Sequence, residues 1–354
     1  MVRSSTLLLL ALACGLANSH AGDDPPTKSP AAPSLEPLVT EGIVQAPVAE
    51  LWKVFSTAEG FKRLGVSQCE MDFRVGGLIR THYDPKGKLG DDGTIENEVL
   101  AFEPERMMAF RIHRPPKGLP FAEATWKPTW SVATFSDLGD GRTHLRLVGM
   151  GYPATEEGKK MRNFFDQGNS YTLAFLKKQF DAAQPALPAV AHADDPLAPI
   201  SLSTIVELPR AEVWKRCTTA EGWEKFFGAQ ATIELIPGGK FEILFNPKAP
   251  EGERGSEGCQ VQSYLPERML SFSWNAPPKF PHARSQRTWV VVEFEELAPG
   301  RTRVRLEHLG FAERARRQPD ERAEWEEVRA YFTTAWPKVL AALSSQAAPR
   351  AASQ

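Results

Sequence analysis

The chain contains the same segment twice. Residues 44–53 (VQAPVAELWK) return as residues 206–215 (VELPRAEVWK), and the following TAEG sequence ends at Gly60 in one copy and at Gly222 in the other, 162 residues later. A period this long indicates a duplicated domain, because solenoid repeats run to about 20–50 residues. The duplication therefore constrains the fold to two related domains. It also supplies a comparison, since any proposed site can be sought in both copies.

Further matches extend the correspondence through both copies. Gly76-Gly77 matches Gly238-Gly239, residues 104–107 (PERM) match residues 266–269 (PERM), and residues 115–117 (PPK) match residues 277–279 (PPK). After a three-residue deletion in the second copy the offset becomes 159, so that Trp130 corresponds to Trp289. Each copy has about 140 residues, which is long enough to bury a full core.

Composition argues against two classes of partner. The chain has 354 residues, 42% hydrophobic and 24% charged, with a net charge of −2. Binding to nucleic acid or to an anionic membrane surface would call for a basic excess, which is absent. We therefore expect no nucleic-acid partner.

The N-terminus predicts export. Arg3 precedes an apolar run at residues 7–13, and Ser19-His20-Ala21 offers small residues at the two positions that a signal peptidase inspects. We assign residues 1–21 to a signal peptide and expect a periplasmic or extracellular protein. Cys14 leaves a lipoprotein anchor as the alternative, although Ala11 stands where a lipobox has leucine. No stretch is long and apolar enough to span a membrane.

Proline-rich segments set the domain limits. Residues 22–37 form a proline-rich tether and residues 182–199 a proline- and alanine-rich linker, while residues 344–354 form a polar tail. The two domains are therefore predicted at residues 38–181 and 200–343. Three cysteines remain after cleavage, none of them shared by the copies, and the alternatives are a Cys217–Cys259 bridge or buried free thiols.

The sequence patterns of the two copies predict the same order of strands and helices. A first strand ends just before a proline that starts a short helix, and Thr57 or Thr219 caps a second short helix. Alternating strands with short polar turns follow, and a long helix closes the copy at about residues 155–181 or 319–343. This order predicts an α+β fold in which a curved antiparallel sheet wraps around the long C-terminal helix, the helix-grip arrangement, once in each copy.

These motifs resemble the START-like (SRPBCC) superfamily, and within it the group named for the C-terminal domain of the activator of Hsp90 ATPase. The resemblance is carried by residues 46–53 and 57–60, the Gly76-Gly77 turn, residues 102–107 and residues 141–147, with their counterparts in the second copy. It implies tandem helix-grip domains, and a superfamily that includes carriers of apolar molecules, cyclases and a chaperone activator. The Trp-Trp or Trp-Phe pair usual at the end of the second short helix is matched by Phe226-Phe227, but the first copy has Leu64-Gly65. Export argues against Hsp90 as a partner.

Histidines and known motifs supply no shared chemistry. No histidine is common to both copies; strand alternation places His82 on the surface, while His113 and His308 are candidate pocket groups. Metal-ligand, nucleophile and phosphate-loop motifs are absent from the sequence, so we expect no metal, cofactor or catalytic residue. The Gly-Gly pairs are interpreted as hairpin turns, and the shared Glu-Arg of residues 105–106 and 267–268 as turn residues with strand-end salt bridges.

Aromatic residues carry the remaining prediction. The shared tryptophans Trp52/Trp214 and Trp130/Trp289 are expected in the cores. If each sheet encloses a ligand cavity, inward strand positions and the long helix should line it. The candidate lining residues are Ile79, Tyr83, Phe110, Ile112, Phe135, Phe175, Phe241, Phe245, Phe272, Trp274, Phe294 and Trp336. The favoured function is non-catalytic binding of an apolar small molecule or lipid. The alternatives are a cyclase- or hydrolase-like enzyme with polar groups in one pocket, and a chaperone-like interaction module.

Overall fold

The first repeat forms one antiparallel sheet with its long helix last. In the computed structural model, residues 33–181 and 195–345 are described, so the predicted signal peptide and most of the tether, linker and tail lie outside the described residues. The elements are β1 (Leu38–Val44), α1 (Val48–Ser56), α2 (Ala58–Lys62), β2 (Gln68–Met71), β3 (Leu78–His82), β4 (Ile95–Glu103), β5 (Met107–Arg114), α3 (Glu123–Trp126), β6 (Trp130–Asp137), β7 (Thr143–Met150) and α4 (Glu156–Asp181). Seven strands pair in the order β1-β7-β6-β5-β4-β3-β2.

The second repeat follows the same plan with one added helix. Its elements are β8 (Ile200–Val206), α5 (Arg210–Thr218), α6 (Ala220–Phe227), β9 (Gln230–Ile233), β10 (Phe241–Leu244), β11 (Val261–Leu265), β12 (Met269–Trp274), α7 (Pro281–Ser285), β13 (Thr288–Ala298), β14 (Arg301–Leu309), α8 (Phe311–Arg317) and α9 (Arg322–Ser344). Five strands pair in the order β11-β12-β13-β14-β8, and β9 pairs with β10. The predicted α+β helix-grip fold is confirmed in both repeats.

The shared sequence motifs shape the same local structures in both copies. The Thr57 hydroxyl accepts a hydrogen bond from the Gly60 amide at 3.0 Å, and Thr219 does the same for Gly222, so both predicted N-caps are confirmed. The Pro-Glu-Arg-Met corners force a glutamate into left-handed backbone, with φ of 62° at Glu105 and 59° at Glu267. These corners turn one strand tightly into the next.

The shared tryptophans of β6 and β13 join the two repeats. Trp289 is 2% exposed, and its indole N–H donates to the Phe102 carbonyl of the first repeat at 2.7 Å. Trp130 donates to the carbonyl of Tyr264 in the second repeat at 3.4 Å. Because Tyr264 is the counterpart of Phe102, each tryptophan binds the equivalent point of the other copy. The interface is therefore pseudo-twofold, and these tryptophans, which are buried as expected of core residues, also join one repeat to the other.

Apolar side chains continue this interface. The buried residues of the second repeat that join the core cluster of the first are Leu265, Met269, Trp289, Val291 and Leu309. Their partners include Met107 and Val132, which lie on neighbouring strands of the first sheet. Burial of this kind contributes about 25 cal/mol per Å² of apolar surface, so the repeats stabilise each other.

A cluster of charges closes one end of the interface. Arg305 binds Glu103 of the first repeat at 2.6 Å, and it also binds Glu293 and Glu307. Arg106 binds both Glu103, at 3.0 Å, and Glu293, at 2.8 Å. Three carboxylates therefore share two guanidinium groups. Burial raises the pKa of Glu103 to about 7, against the hydrogen bond and charge of Arg305.

The Glu103→Gln substitution should change how stability depends on pH. The folded-state pKa of Glu103 exceeds that of an unfolded glutamate, so folding favours the protonated carboxyl group. The contribution of Glu103 to stability is therefore fully present below about pH 4.5 and is lost as the pH rises through about 7. Glutamine cannot ionise, so we expect the variant to gain stability relative to the wild type over this interval, by at most about 3 kcal/mol. Urea unfolding of both proteins at several pH values measures the difference. A difference that stays flat with pH would contradict the assignment.

Candidate functional site

The space between helix and sheet is filled in the second repeat. The rings of Phe241 and Phe272 stack with centroids 4.1 Å apart, and Trp274 meets Trp336 of α9 at 5.2 Å. Phe332, one helical turn before Trp336, is also buried. Aromatic side chains from both layers therefore meet at the centre of this repeat.

His308 is part of that filling. The Trp336 indole N–H donates to His308 Nδ1 at 2.9 Å, so the proton of the neutral ring is on Nε2, which donates to Thr288 Oγ1 at 2.8 Å. The Thr288 hydroxyl in turn donates to the Trp274 carbonyl at 3.1 Å. Burial lowers the pKa of His308 to about 3. This candidate pocket histidine is a hydrogen-bonded core residue, and no second titratable side chain joins the hydrogen-bonded chain.

His308 is expected to stay neutral across the physiological pH range. Its ring nitrogens should show no protonation from about pH 8 to about pH 4.5, because the buried site excludes the charged form. A ¹⁵N–¹H correlation spectrum of the labelled imidazole rings, recorded through that range, tests this, with exposed His113 as the internal control. A His308 ring that becomes protonated within this pH range would contradict the buried network.

The sheet of the first repeat has smaller residues at the same place. Strand pairing in the second repeat aligns a row formed by Phe272, Val290, His308 and Ile200. The corresponding row in the first repeat is Phe110, Ser131, Gly149 and Leu38. Serine and glycine thus replace valine and histidine. Trp274, two residues beyond Phe272, is replaced by Ile112.

The long helix of the first repeat also has smaller side chains where it faces the sheet. The buried stripe of α9 contains Trp325, Phe332, Trp336 and Leu340, and the buried residues Met161 and Leu176 of α4 have the spacing of Trp325 and Leu340. This match places Gly168 at the position of Phe332 and Thr172 at the position of Trp336. A Cβ atom built on Gly168 would meet nothing within 4 Å. The structure therefore has open space beside Gly168, at the position where the second repeat has the ring of Phe332.

The end of this space is open as well. Phe227 and Phe245 close the second repeat with an edge-to-face contact at 5.8 Å. Their counterparts are Gly65, in left-handed backbone with φ of 97°, and Tyr83, which is 50% exposed. The half-exposed Phe175 of α4 lies beside Gly65. We use the name open grip for the region between the sheet positions Phe110 and Ser131 and the helix positions Gly168, Thr172 and Phe175, where the side chains are smaller than in the second repeat.

Tyr152 places a hydroxyl group beside Gly149, in a small cluster that includes Leu38 and Met161. A Cβ atom on Gly149 would lie 2.7 Å from the Tyr152 hydroxyl, so this ring lies over the glycine that replaces His308. The ring is 4% exposed, and burial raises the pKa of Tyr152, which keeps the hydroxyl protonated. Its hydroxyl makes no hydrogen bond to any residue that the structure describes.

The predicted lining residues fall into three groups. Ile79, Phe135, Phe241, Phe272, Trp274, Phe294 and Trp336 are buried; Phe110 and Ile112 are partly buried; and Tyr83, Phe175 and Phe245 are exposed. The second-repeat members mostly pack against one another, whereas Phe110, Ile112, Tyr83 and Phe175 of the first repeat keep more exposed surface. The prediction missed Ser131, Gly149, Tyr152, Gly168 and Thr172, whose signal is their small size beside large counterparts, or in Tyr152 a ring over one of them.

The predicted surface position of His82 is wrong. This side chain is 5% exposed, because the loop from Tyr83 to Thr94 wraps around it. The Asp84 amide donates to Nδ1 at 3.0 Å, and Nε2 donates to Asp91 at 2.9 Å. A Cβ atom on Gly87 or Gly93 would collide with the ring, so both glycines permit the wrapping. We interpret His82 as the anchor of its loop.

The cysteine alternatives are settled in favour of free thiols. Cys69, Cys217 and Cys259 are all unpaired, and the last two are buried. Burial raises the pKa of Cys217 to about 12 and that of Cys259 to about 11. Thiols so protected are poor nucleophiles.

Metal-ligand clusters and membrane-spanning helices are both absent from the described part of the chain. Within residues 33–181 and 195–345, no group of three or more His, Cys, Asp or Glu side chains is arranged to hold a metal ion. No helix of these ranges has the length and apolar character that a membrane crossing requires.

Comparison with known proteins identifies related sequences and folds. The family model described as "Activator of Hsp90 ATPase homolog 1-like protein" matches residues 45–181 and 207–347. No curated protein matches the chain. Among solved structures, the di-domain ARO/CYC protein BexL of the BE-7585A biosynthetic pathway is 13% identical and covers 89% of this chain and 100% of its own, with a TM-score of 0.34.

Two further solved structures each match one repeat, with identities and TM-scores in the same range. The Aha1 dimer protein from Colwellia psychrerythraea is 13% identical and covers 42% of this chain and 98% of its own, with a TM-score of 0.33. A protein from Mesorhizobium loti is 17% identical and covers 42% of this chain and 99% of its own, with a TM-score of 0.35.

Proposed function

We propose, from the premise that the chain belongs to the activator of Hsp90 ATPase homolog 1-like family, that it is an exported, non-catalytic binding protein. Its first repeat holds one apolar small molecule of lipid-like character in the open grip. Its second repeat is a filled copy that supports the first.

The difference between the two grips carries this proposal. The second repeat fills the space between helix and sheet with His308, Phe332 and Trp336, each at most 5% exposed. At the same positions the first repeat has Gly149, Gly168 and Thr172, and the Tyr152 ring takes part of the space over Gly149. Large-to-small changes in a core usually cost about 2–5 kcal/mol through the cavity that they leave. Because such a space costs stability and is kept in only one of the two copies, we infer that it serves to bind a ligand.

The lining of the open grip favours an apolar ligand and a binding role. Phe110, Ile112 and Phe175 offer apolar surface, while Ser131, Thr172 and the Tyr152 hydroxyl offer a few hydrogen-bonding groups. This is the usual composition of a small-molecule pocket. Acid–base catalysis needs convergent titratable groups, and among the described residues bordering the grip only the tyrosines Tyr83 and Tyr152 titrate. The set supports binding without chemistry.

Native mass spectrometry of the exported protein, purified under mild conditions, tests the proposal. We expect an added mass of lipid-like size that is lost on denaturation, and we expect the emptied protein to bind cis-parinaric acid, a fluorescent fatty acid. Finding neither an added mass nor binding of the probe would overturn the carrier function. A ligand that the protein converts to a product would overturn its non-catalytic part.

The export part of the proposal has its own test. It rests on the basic, apolar and small-residue order of residues 1–21. A bacterial host expressing the full chain should release a protein shortened at its N-terminus into the periplasm or medium, and a chain starting at residue 22 should stay in the cytoplasm. Retention of the uncleaved full chain in the cytoplasm would contradict export.

A further inference from the structure

A groove of about 420 Å³ lies between β1 and the C-terminal half of α4 in the first repeat. Strand β1 contributes residues 39–41 to its lining, and α4 contributes Ser170, Leu173, Ala174 and Lys177. Because β1 is the outermost strand of its sheet, one wall of the groove is a strand edge. The groove is therefore accessible from the side of the repeat.

The groove is next to the open grip. Along β1, Thr40 and Gly42 are the inward positions that follow Leu38, the last member of the sheet row compared above. Along α4, Lys177 lies five residues beyond Thr172, which is about 7.5 Å along the helix axis. A short aliphatic chain can span this distance. The groove and the open grip thus belong to the same layer between helix and sheet.

Lys177 places a positive charge without a counter-ion in the groove. A Cβ atom built on Gly42 would collide with the Lys177 ammonium group and would lie 3.4 Å from Leu173, so the glycine lets the lysine side chain cross to β1. Among the residues that the structure describes, none forms an ion pair or a hydrogen bond with this ammonium group. An anion bound in the groove would therefore make a charge-assisted hydrogen bond without displacing a protein partner.

The carboxylate of Glu41, which belongs to the groove lining, is held elsewhere. It pairs with Arg146 of β7 at 3.0 Å, and His144 lies 3.9 Å from the same oxygen. Side chains alternate along a strand, so Glu41 points to the sheet face opposite to that of Thr40 and Gly42. Glu41 therefore does not neutralise the lysine.

Thr40 adds a hydroxyl group that lacks a partner. Its Oγ1 atom is buried and makes no hydrogen bond within the described ranges. A buried hydroxyl without a partner costs free energy, which an accepting ligand oxygen would offset. Ser170, which is exposed, offers a second hydroxyl from α4. The groove thus combines one cation and two hydroxyl groups with the apolar side chains of Leu173 and Ala174.

The filled second repeat lacks this set. The counterpart of Thr40 is Leu202, which packs against the core of the second repeat. The match of the two final helices places Ala341 at the position of Lys177. The cation and the buried hydroxyl are therefore found only in the copy that has small side chains between helix and sheet.

We propose that Lys177 and Thr40 bind the carboxylate of the ligand whose apolar chain occupies the open grip. We call this pair the carboxylate site. It rests on the proposed carrier function and narrows the ligand to an aliphatic carboxylic acid, bound in its ionised form. A neutral lipid would leave the ammonium group without a counter-ion.

Fluorescence titration with cis-parinaric acid and with its uncharged methyl ester tests the carboxylate site. At pH 8 and low ionic strength the acid is ionised and its charge is weakly screened. We expect Lys177→Met, which keeps an unbranched side chain and removes the charge, to weaken binding of the acid about tenfold and to leave binding of the ester unchanged. Lys178→Met is the matched control, because Lys178 is exposed and lies outside the groove lining. It should bind both probes as the wild type does.

The outcomes distinguish the carboxylate site from the carrier function. A selective loss of acid binding in Lys177→Met, with unchanged thermal unfolding, supports the site. Unchanged binding of the acid in this variant would overturn the site and leave the carrier function standing. Equal weakening in Lys178→Met would show general attraction to positive charge, and equal weakening for the ester would show an effect of packing; either result would overturn the site. Absence of binding of both probes to the wild type would overturn the carrier function and the site with it.

Discussion

Replacing Trp289 by alanine should destabilise the protein by about 3–5 kcal/mol, the range for large aromatic residues in cores. The indole is 2% exposed and contacts the Phe102 ring at 4.9 Å while donating to the Phe102 carbonyl at 2.7 Å. The variant would leave both a cavity and an unsatisfied carbonyl between the repeats. Guanidinium unfolding, followed by fluorescence and by circular dichroism, measures the loss.

Its pseudo-symmetric mate provides the matched control. Trp130 is 6% exposed and its hydrogen bond to Tyr264 is longer, at 3.4 Å, so Trp130→Ala should cost less than Trp289→Ala. The stability of the Trp289→Phe variant should lie between that of the wild type and those of the two alanine variants, since phenylalanine keeps most of the apolar surface but lacks the N–H donor. A Trp289→Ala variant within about 1 kcal/mol of the wild type would show that the repeats do not depend on this contact.

Filling the open grip should abolish binding of an apolar ligand without loss of stability. The double substitution Gly168→Phe/Thr172→Trp copies the aromatic residues that fill the second repeat at Phe332 and Trp336. It also removes a glycine from a helix interior, which favours the helix by up to about 1 kcal/mol. We expect the affinity for cis-parinaric acid to fall about tenfold or more. Fluorescence titration measures the affinity, and thermal unfolding shows whether the fold is kept.

A control variant on the same helix isolates the effect of filling the grip. Gln167 lies on the exposed side of α4, so Gln167→Phe adds an aromatic ring that does not enter the grip. This variant should bind the probe as the wild type does. If the filled variant folds and binds the probe with unchanged affinity, the open grip is not the binding site.

The sequence was sufficient for the scaffold because the scaffold depends on local signals. The N-caps at Thr57 and Thr219 and the turns at Gly76 and Gly238 are set by short-range backbone chemistry, which a reader of the sequence can recognise. His82 shows the limit of such reasoning. Alternation along β3 assigns it to the surface, but a loop that follows the strand wraps around the ring, and alternation contains no information about loops.

The relation between the repeats could not be predicted for a different reason. Trp130 and Trp289 have the burial and the shared position of core residues, and nothing in one copy tells which surface a tryptophan will meet. The charge cluster around Arg305 likewise joins residues from distant parts of the chain. Contacts between domains follow from surface shape, which periodicity does not encode.

Only part of the candidate site could be predicted from the sequence. Aromatic side chains such as Phe110 and Phe175 are found by strand and helix alternation. The residues that make space are small, and Gly168 or Ser131 has no signal of its own in a single copy. The space that they leave is recognised only when they are compared with Phe332 and Val290 at the corresponding positions of the second copy. The match of the final helices is hidden in the sequence, because α8 is inserted before α9 and shifts the register.

The number of ligands bound per chain tests the central claim, that one grip is open and the other is filled. Native mass spectrometry of the emptied protein with excess cis-parinaric acid should show one bound molecule per chain at saturation, and none in the Gly168→Phe/Thr172→Trp variant. Two bound molecules would mean that the second repeat opens despite its aromatic core. No bound molecule in the wild type would mean that neither repeat is a carrier.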